Sequence, residues 1–385
     1  MIPYGRQDIT QADIDAVQEV LRSDWLTQGP VVPRFEQAVA DYCGAGYAIA
    51  VNSATSALHL ACLALGLGPG DRLWTTPITF VASANCGLYC GAQVDFVDID
   101  PHTYTLCPKT LEEKLQQADQ HGRLPKVVVP VHLCGQSCDM AAIHRLSQRY
   151  GFRIIEDASH ALGGTYNNQA IGNCRYSDIT VLSFHPVKMI TSGEGGMALT
   201  PHQPLADKMA RLRSHGITRD PTQMTHTPDG PWYYQQIELG YNYRMSDIQA
   251  ALGLSQLQRL NHYLTRRRAL AQRYDDHFTD LPITLPWQHP DSHSAWHLYV
   301  IRLQLDRLTQ THQHIFIALR DQGIGVNVHY IPVHLQPWYR QMGFQPGDFP
   351  QAERYYQQAI SLPIYPLLDT HQQDQVIQAI TRVLR

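Results

Sequence analysis

Short β-rich apolar runs alternate with helical patterns through the first 200 residues, and this alternation constrains the fold more than any other feature. Most of the runs do not alternate between apolar and polar residues, which is typical of strands covered on both faces. Helical segments are expected between most of them, at 55–65, 80–91, 109–118 and 139–150. The pattern predicts an α/β domain built on a mostly parallel seven-stranded sheet. The expected strands are residues 47–53, 72–77, 93–99, 126–132, 153–159, 179–184 and 196–200.

The pattern changes at about residue 255. We therefore divide the chain into a large domain, residues 1–255, and a smaller α+β domain, residues 256–385. In the smaller domain we expect a long helix through 254–278, a strand at 297–303, a helix at 315–323, a strand at 325–332 and a terminal helix at 374–385.

The N-terminal segment predicts one further helix. Thr10 is expected to begin it, with Asp13 as the capping-box partner. Apolar residues then recur at helical spacing and form one apolar stripe, made of Ile14, Val17, Val20 and Leu21.

Composition excludes several classes of protein. The chain of 385 residues is 44% hydrophobic and 17% charged, with a net charge of −4. A dedicated nucleic-acid binder needs a basic face, and a disordered chain has fewer aromatic residues and more charge. The first residues lack the pattern of a signal peptide, and the longest apolar run, near residues 58–68, is far shorter than the roughly 20 residues of a membrane helix. We expect a soluble cytoplasmic enzyme with neither nucleic acid nor membrane as a partner.

Eight cysteines fall within the first 174 residues. The Cys86–Cys90 and Cys134–Cys138 spacings lie within the range of structural zinc sites. Cys86 and Cys90, however, lie in an apolar stretch that predicts a buried helix, and free cysteine is among the most buried residue types. We favour the helix over a zinc site and predict no metal.

Two positions next to expected strands carry chemistry. Asp157 follows the apolar run of IIEDASHA, and Lys188 lies in the loop of SFHPVKMITSGEGG. In open α/β sheets the ligand-binding groups gather at the carboxyl ends of the strands. A lysine there can form a Schiff base with an aldehyde cofactor, and a carboxylate can pair with a pyridinium nitrogen. Taken alone, either residue is as readily explained as a solvated or ion-paired group.

Two further motifs fit the same chemistry. In NSATSALHL a helix begins near Thr55 and Ser56, and its first N–H groups and hydroxyls suit one phosphate, although an ordinary helix cap has the same sequence. Phe80, in PITFVASAN, lies at a strand-to-helix junction where it could stack on a flat ring or lie in the core.

In this order the motifs resemble those of the fold-type-I aminotransferases that use pyridoxal phosphate, and more narrowly the DegT/DnrJ/EryC1/StrS family of nucleotide-sugar aminotransferases. The resemblance covers nearly the whole chain. It rests on DWLTQGP, NSATSALHLA, PITFVASAN, EDASHA, SFHPVK with GEGG, GYNYRMSDIQAALGLSQL and GIGVNVHYIPVHLQPWY.

The resemblance implies a role for each matching residue. Lys188 would form the Schiff base with the cofactor, and Asp157 would pair with its pyridine nitrogen. Phe80 would stack on the ring and His160 would lie near the ring hydroxyl. The phosphate would be held by Thr55, Ser56, Ser183 and, from the partner subunit of an obligate homodimer with shared active sites, Asn242, which could instead contact the substrate. The sugar pocket would be lined by Tyr4, Trp25, Leu26, Thr27, His329 and Tyr330.

Within the family, the resemblance is greatest to the pseudaminic-acid branch. That branch transfers the amino group of L-glutamate to C4 of a UDP-linked 4-keto-6-deoxy-N-acetylhexosamine, giving UDP-4-amino-4,6-dideoxy-N-acetyl-β-L-altrosamine. Another 4-keto or 3-keto nucleotide sugar is the nearest alternative, and a non-catalytic or zinc-binding scaffold on the same fold is the remote one. The diphosphate needs cationic partners, for which RLRSHGITRD offers Arg211, Arg213 and Arg219 without distinguishing among them.

Overall fold

The centre of the molecule is one seven-stranded sheet, formed by the seven segments that the sequence pattern predicts. The computed structural model describes residues 1–385. The strands are β1 Tyr47–Val51, β2 Arg72–Thr75, β3 Gln93–Phe96, β4 Val127–Val129, β5 Arg153–Asp157, β6 Ile179–Ser183 and β7 Gly196–Thr200. Their order across the sheet is β1-β7-β6-β5-β4-β2-β3, and only β7 runs antiparallel to its neighbours. The prediction of a mostly parallel seven-stranded sheet is confirmed.

Helices cover both faces of this sheet and form most of a second, smaller unit. The helices are α1 Gln11–Leu21, α2 Val31–Cys43, α3 Ala54–Ala64, α4 Ala82–Tyr89, α5 Pro108–Gln120, α6 Met140–Tyr150, α7 Gln203–Leu212, α8 Asp247–Leu257, α9 Leu260–Phe278, α10 His312–Asp321, α11 Pro337–Arg340, α12 Pro350–Gln358 and α13 Thr370–Leu384. Short 3₁₀ turns occur at Leu133–Gly135, Pro221–Gln223, Leu305–Arg307 and Val333–Leu335. No helix combines the length and the apolar composition that crossing a membrane requires.

The smaller unit has its own sheet and its own core. Its antiparallel strands are β8 Ile283–Thr284, β9 Tyr299–Leu303 and β10 Ala359–Leu362, in the order β8-β9-β10. A cluster of 25 buried apolar residues, mostly from α9, β9, α10 and α13, packs around it. The predicted α+β character is confirmed. The domain boundary near residue 255 stays a prediction.

The remaining strands are two-residue pairings. Ile2–Pro3 pairs in parallel with Ile324–Gly325, and Ile217–Thr218 pairs with Gln235–Gln236. Thr165–Tyr166 lies between Ser292–His293 and Gln169–Ala170. The first of these pairings attaches the N-terminus to the smaller unit.

Two expectations about the smaller unit are wrong. The helical pattern through 254–278 is two helices, because α8 packs on α1 and α2 whereas α9 packs on α13. The expected strand at 325–332 ends at Gly325. Beyond it, the side chain of Asn327 accepts the N–H of Val328 at 2.8 Å and so competes with strand pairing. Strand β10 was not expected.

The first helix begins as predicted, and its apolar stripe is only partly buried. Thr10 is its N-cap, and the Thr10 N–H donates to the Asp13 carboxylate at 2.8 Å. The face toward α8 carries Asp13 and Val20, whereas Ile14 and Leu21 are 52% and 57% exposed. Asp13 is buried there because Ser255, Gln256 and Arg259 donate to it.

Candidate active site

A cavity of about 560 Å³ lies at the carboxyl ends of the central strands. Strand β5 ends at Asp157 and β6 ends at Ser183, while α3 begins directly after β1. Nine residues that the sequence analysis singled out line this one cavity, namely Tyr4, Thr55, Phe80, Asp157, His160, Ser183, Lys188, His329 and Tyr330. The structure therefore brings together side chains that are up to 326 residues apart in the chain, Tyr4 and Tyr330 among them.

Asp157 is buried and held at both carboxylate oxygens. The Ser83 hydroxyl donates to Oδ2 at 2.6 Å, and the N–H of Ser159 donates to Oδ1 at 3.1 Å. The second bond forms a turn directly after the strand, which ends β5 at this residue. The carboxylate is thus fixed in one orientation at the floor of the cavity.

Lys188 is half-buried, and its ammonium group has no hydrogen-bond or ion-pair partner within the chain. Burial lowers the pKa of Lys188 to about 8, and the charge of Asp157 opposes part of that shift. A lysine with a pKa near 8 has a substantial neutral fraction at physiological pH, and the neutral amine is the form that attacks carbonyl groups. Lys188 has the properties of a Schiff-base lysine.

The start of helix α3 lines the same cavity as Lys188 and is suited to bind an anion. The first N–H groups of a helix have no acceptor within the helix, and Thr55 and Ser183 line the cavity at this point. Gly196 lets β7 approach the helix start, because a Cβ there would lie 2.4 Å from the Ala54 nitrogen. The absence of a side chain at Gly196 therefore permits the helix start to pack directly on the sheet.

His160 is buried and its protonation state follows from its partners. The N–H of Cys134 donates to Nδ1 at 3.3 Å, so Nε2 is assigned the proton and faces the Tyr330 hydroxyl at 3.1 Å. Burial lowers the pKa of His160 well below its ordinary value, and the charges of Lys188 and His329 add to the effect. The ring is therefore a neutral hydrogen-bond donor at physiological pH.

Aromatic side chains form the open side of the cavity. Phe80 is 59% exposed at its mouth, with its ring centroid 6.4 Å from that of Tyr330. The rings of Tyr4 and His329 lie 5.0 Å apart, and His329 Nδ1 is 2.8 Å from the Ser361 hydroxyl. Both His329 and Tyr330 line the cavity, because the segment that carries them is irregular rather than a strand with alternating sides.

Five of the expected site residues lie outside this cavity lining. Trp25 and Leu26 are exposed, Thr27 pairs with Ser246, and Asn242 pairs with Ser214. The Ser56 hydroxyl donates to Asn52 at 2.6 Å and so belongs to the cap of α3. The roles of Trp25, Leu26, Thr27, Ser56 and Asn242 stay predictions.

The three arginines offered for a diphosphate also lie away from the cavity. Arg211 is ion-paired with Glu238, and Arg213 with Glu36. Arg219 is exposed, with its guanidinium 5.9 Å from the centre of the Tyr234 ring. Of the three, Arg219 alone has no carboxylate partner within the chain.

The cysteine pairs are part of the packing. All eight cysteines are free thiols. Cys86 lies within α4 and Cys90 caps its C-terminus, both buried, which confirms the predicted buried helix. No group of three or more histidine, cysteine or acidic side chains is arranged to hold a metal ion.

Sequence reasoning missed several lining residues. His297, Glu194 and Asn327 line the cavity, and Ser83 holds Asp157 from outside the lining. Ser83 is 74 residues from its partner Asp157, and His297 lies just before β9 in the smaller unit, far in sequence from the strand ends of the central sheet. No spacing within a short motif indicates such contacts.

The donor set of the cavity fits a phosphorylated pyridine aldehyde. Lys188 is suited to the aldehyde, Asp157 to a protonated ring nitrogen, and the start of α3 with Thr55 and Ser183 to the phosphate. Phe80 is placed at the mouth of the cavity, where a flat ring can stack on it.

Comparison with known proteins agrees with this geometry. The family model of the DegT/DnrJ/EryC1/StrS aminotransferases matches residues 7–381. The spore coat polysaccharide biosynthesis protein SpsC of Bacillus subtilis is 41% identical over 100% of this chain and 97% of its own length.

Solved structures of similar proteins have the same fold over the full length. PseC of Helicobacter pylori, an aminotransferase involved in the biosynthesis of pseudoaminic acid, is 31% identical with a TM-score of 0.90, covering 100% of this chain and 99% of PseC. The putative sugar aminotransferase Spr1654 of Streptococcus pneumoniae, in its PMP form, is 30% identical with a TM-score of 0.89, covering 100% and 99%. The expected fold type I is confirmed, and this chain belongs to the DegT/DnrJ/EryC1/StrS aminotransferase family.

Proposed function

We propose that this protein transfers the amino group of L-glutamate to C4 of a UDP-linked 4-keto-6-deoxy-N-acetylhexosamine, forming UDP-4-amino-4,6-dideoxy-N-acetyl-β-L-altrosamine for pseudaminic acid synthesis. The observation that carries amino transfer is the meeting of Lys188, Asp157 and the start of α3 in one cavity. The family and the PLP form of Spr1654, 30% identical with a TM-score of 0.88, indicate pyridoxal phosphate as the cofactor.

Two relatives support different sugars. The similarity to PseC over nearly the full length of both chains supports the pseudaminic-acid substrate. The higher identity to SpsC, whose name refers to spore coat polysaccharide, supports the second candidate, which is another 4-keto or 3-keto nucleotide sugar. The candidates share the mechanism and differ in the pocket that holds the sugar.

Lys188 and Asp157 have different roles in the proposed chemistry. Pyridoxal phosphate, when bound, supplies an electron sink for the charge that develops at the donor Cα. Lys188 would hold the cofactor, and its amine would move a proton at the donor Cα, first as general base and then as general acid. Asp157, fixed by Ser83 and Ser159, keeps the pyridine nitrogen protonated.

The remaining residues bind and orient the cofactor. Thr55, Ser56 and Ser183 would hold the phosphate with the N–H groups of α3, and Phe80 would cover the ring. His160 donates from Nε2 toward the ring hydroxyl, next to the Tyr330 hydroxyl that it now meets at 3.1 Å. Thr55, Phe80, His160 and Ser183 line the cavity together, and groups held in this way before a substrate binds lower the entropic cost of reaching the reactive geometry.

The sugar pocket and the dimer are proposed together. Tyr4, His329 and Tyr330 form one wall of the cavity. Trp25 and Leu26, 55% and 48% exposed in the single chain, are large apolar groups of the kind that a partner or substrate covers. We assign Thr27 to the same sugar pocket and Asn242 to the partner's site in a homodimer.

A panel of ketosugars distinguishes the two substrate candidates. Enzyme first treated with L-glutamate, until its visible band is lost, is mixed with each UDP-ketosugar, and the rate of band recovery is measured. We expect the 4-keto-6-deoxy-N-acetyl sugar of the L-arabino series to give the fastest recovery, with 2-oxoglutarate as the positive control. Faster recovery with a 3-keto sugar or another 4-keto sugar would favour the second candidate. Recovery with 2-oxoglutarate alone would contradict both.

A further inference from the structure

Arg267 is a buried cation without a counter-ion. It lies on α9, is 1% exposed, and forms no ion pair with any carboxylate. Its Nη1 instead donates to three carbonyl oxygens, those of Trp296 at 3.0 Å, His297 at 3.2 Å and Ile364 at 2.8 Å. Burial lowers the pKa of Arg267 to about 10, so it remains charged at physiological pH. Because burying a charge is costly, an arginine here requires a structural reason.

Two of the three carbonyls belong to a strained turn that enters the cavity. Trp296 has a φ of +53°, a region that a bulky residue seldom adopts. Such a conformation persists only where the surroundings determine it, and Arg267 binds the carbonyls of the two peptide links that flank the Cα of His297. The guanidinium therefore determines the direction in which the His297 side chain leaves the backbone.

The third carbonyl leads to Tyr4, another residue of the same cavity lining. Ile364 accepts from Arg267, and its N–H donates to the Tyr4 carbonyl at 3.0 Å. Tyr274, also on α9, donates to the adjacent Pro363 carbonyl at 2.8 Å. Tyr4 lines the cavity. Helix α9 is therefore connected through main-chain contacts to the cavity lining at two places, His297 and Tyr4.

This turn places the buried side chain of His297 in the cavity lining. It lines the cavity at 4% exposure, and its ring centroid lies 4.4 Å from that of His160. Its Nδ1 has no hydrogen-bond partner, so contact with His160 and burial, rather than a bond at Nδ1, hold that side of the ring.

The electrostatics at His297 agree with a neutral ring. Burial lowers the pKa of His297 well below its ordinary value, and the neighbouring His160, Lys188, Arg267 and His329 lower it further. Two neutral imidazoles can lie against each other without charge repulsion, which suits the 4.4 Å spacing.

We propose that Arg267 is a positioning residue for amino transfer. By holding the carbonyls of Trp296 and His297, it keeps the His297 ring against His160 and so orders the wall at which His160 and Tyr330 meet the cofactor ring. The inference rests on the proposed function in taking this cavity as the cofactor site. A purely structural role, tying α9 to the smaller sheet, would change stability alone.

Arg267→Met tests the proposal, with Arg266→Met as the matched control. Arg266 lies next to it on α9 and donates to the Leu368 carbonyl at 2.6 Å, which is not part of the cavity. We expect Arg267→Met to lower kcat by about 10²-fold with little change in KM, since a small misplacement of reacting groups has costs of this order. The pH midpoint of the visible cofactor band should also move, and Arg267→Lys should recover part of both losses. Arg266→Met should leave kcat and the midpoint unchanged.

A cofactor-free measurement separates this proposal from the proposed function. In the protein without cofactor, ring-nitrogen NMR should show the His160 signals displaced in Arg267→Met and unchanged in Arg266→Met. Unchanged His160 signals together with a lowered Tm alone would overturn the proposal. If Arg267→Met does not fold, His297→Phe is measured instead. Unchanged His160 signals and an unchanged kcat in His297→Phe would also overturn the proposal. A wild-type protein that never forms a visible band would contradict the proposed function, while the NMR result would still decide the role of Arg267.

Discussion

Replacing Lys188 by alanine abolishes turnover in this account and leaves the cofactor bound only reversibly. The amine both holds the cofactor and moves the proton at the donor Cα, and no other lysine lines the cavity. Proton transfer by a positioned group contributes up to about 10⁴-fold to a rate. Because Lys188 also holds the cofactor, we expect the turnover rate of Lys188→Ala to fall by at least that factor. The measurement is turnover with L-glutamate and a UDP-ketosugar, followed by dialysis to release the cofactor.

The control for this variant is Lys109→Ala. Lys109 is exposed on α5, far from the cavity lining, and makes no hydrogen bond or ion pair through its side chain. It should keep wild-type activity and wild-type retention of the cofactor. Turnover at the wild-type rate in Lys188→Ala would remove Lys188 from the mechanism.

Asp157→Asn has the second largest expected effect, a loss of about 10²- to 10³-fold in turnover. Asparagine has nearly the same shape and can still accept from Ser83 or Ser159, but it lacks the charge that keeps a pyridine nitrogen protonated. The loss is measured on each half-reaction separately. Near-normal rates would mean that Asp157 has a structural role only. Asp119→Asn, on the exposed side of α5, should change neither rate.

The same variant has a second signature in the cofactor-free protein. The pKa of Lys188 is about 8, and the Asp157 anion acts to raise it. Removing that anion therefore moves the pKa of Lys188 below about 8, so its amine becomes reactive at lower pH. The rate of borohydride-trapped reaction with pyridoxal phosphate, measured against pH, should show a lower midpoint in Asp157→Asn than in the wild type.

The central sheet could be predicted from the sequence because parallel strands are covered on both faces and appear as continuous apolar runs. The predicted strand ends were less accurate. The run 153–159 was expected to continue past Asp157, but the Asp157 side chain binds the N–H of Ser159 and turns the chain.

Patterns of apolar spacing do not indicate which partner covers a helix. Of the apolar stripe of α1, Val20 is buried whereas Ile14 and Leu21 are exposed, and the face that packs on α8 is anchored by the buried Asp13. The break between α8 and α9 was likewise missed, because both helices carry apolar residues at helical spacing and only their packing partners differ. These features depend on tertiary contacts between distant segments.

In the candidate site, too, some residues could be predicted from the sequence and others could not. Lys188, Asp157 and Thr55 could be proposed because strand ends and helix starts concentrate ligand-binding groups. Ser83 and His297 could not, since each acts through a partner that is distant in the chain. Trp25, Leu26 and Thr27 come from the resemblance alone and stay predictions for the sugar pocket.

The visible absorption spectrum of the purified protein, before and after addition of L-glutamate, tests the central claim most directly. We predict a yellow band from the cofactor held by Lys188, which L-glutamate bleaches while 2-oxoglutarate is released. A protein that shows no band even after incubation with pyridoxal phosphate, or a band that L-glutamate leaves unchanged, would contradict amino transfer from glutamate at this site.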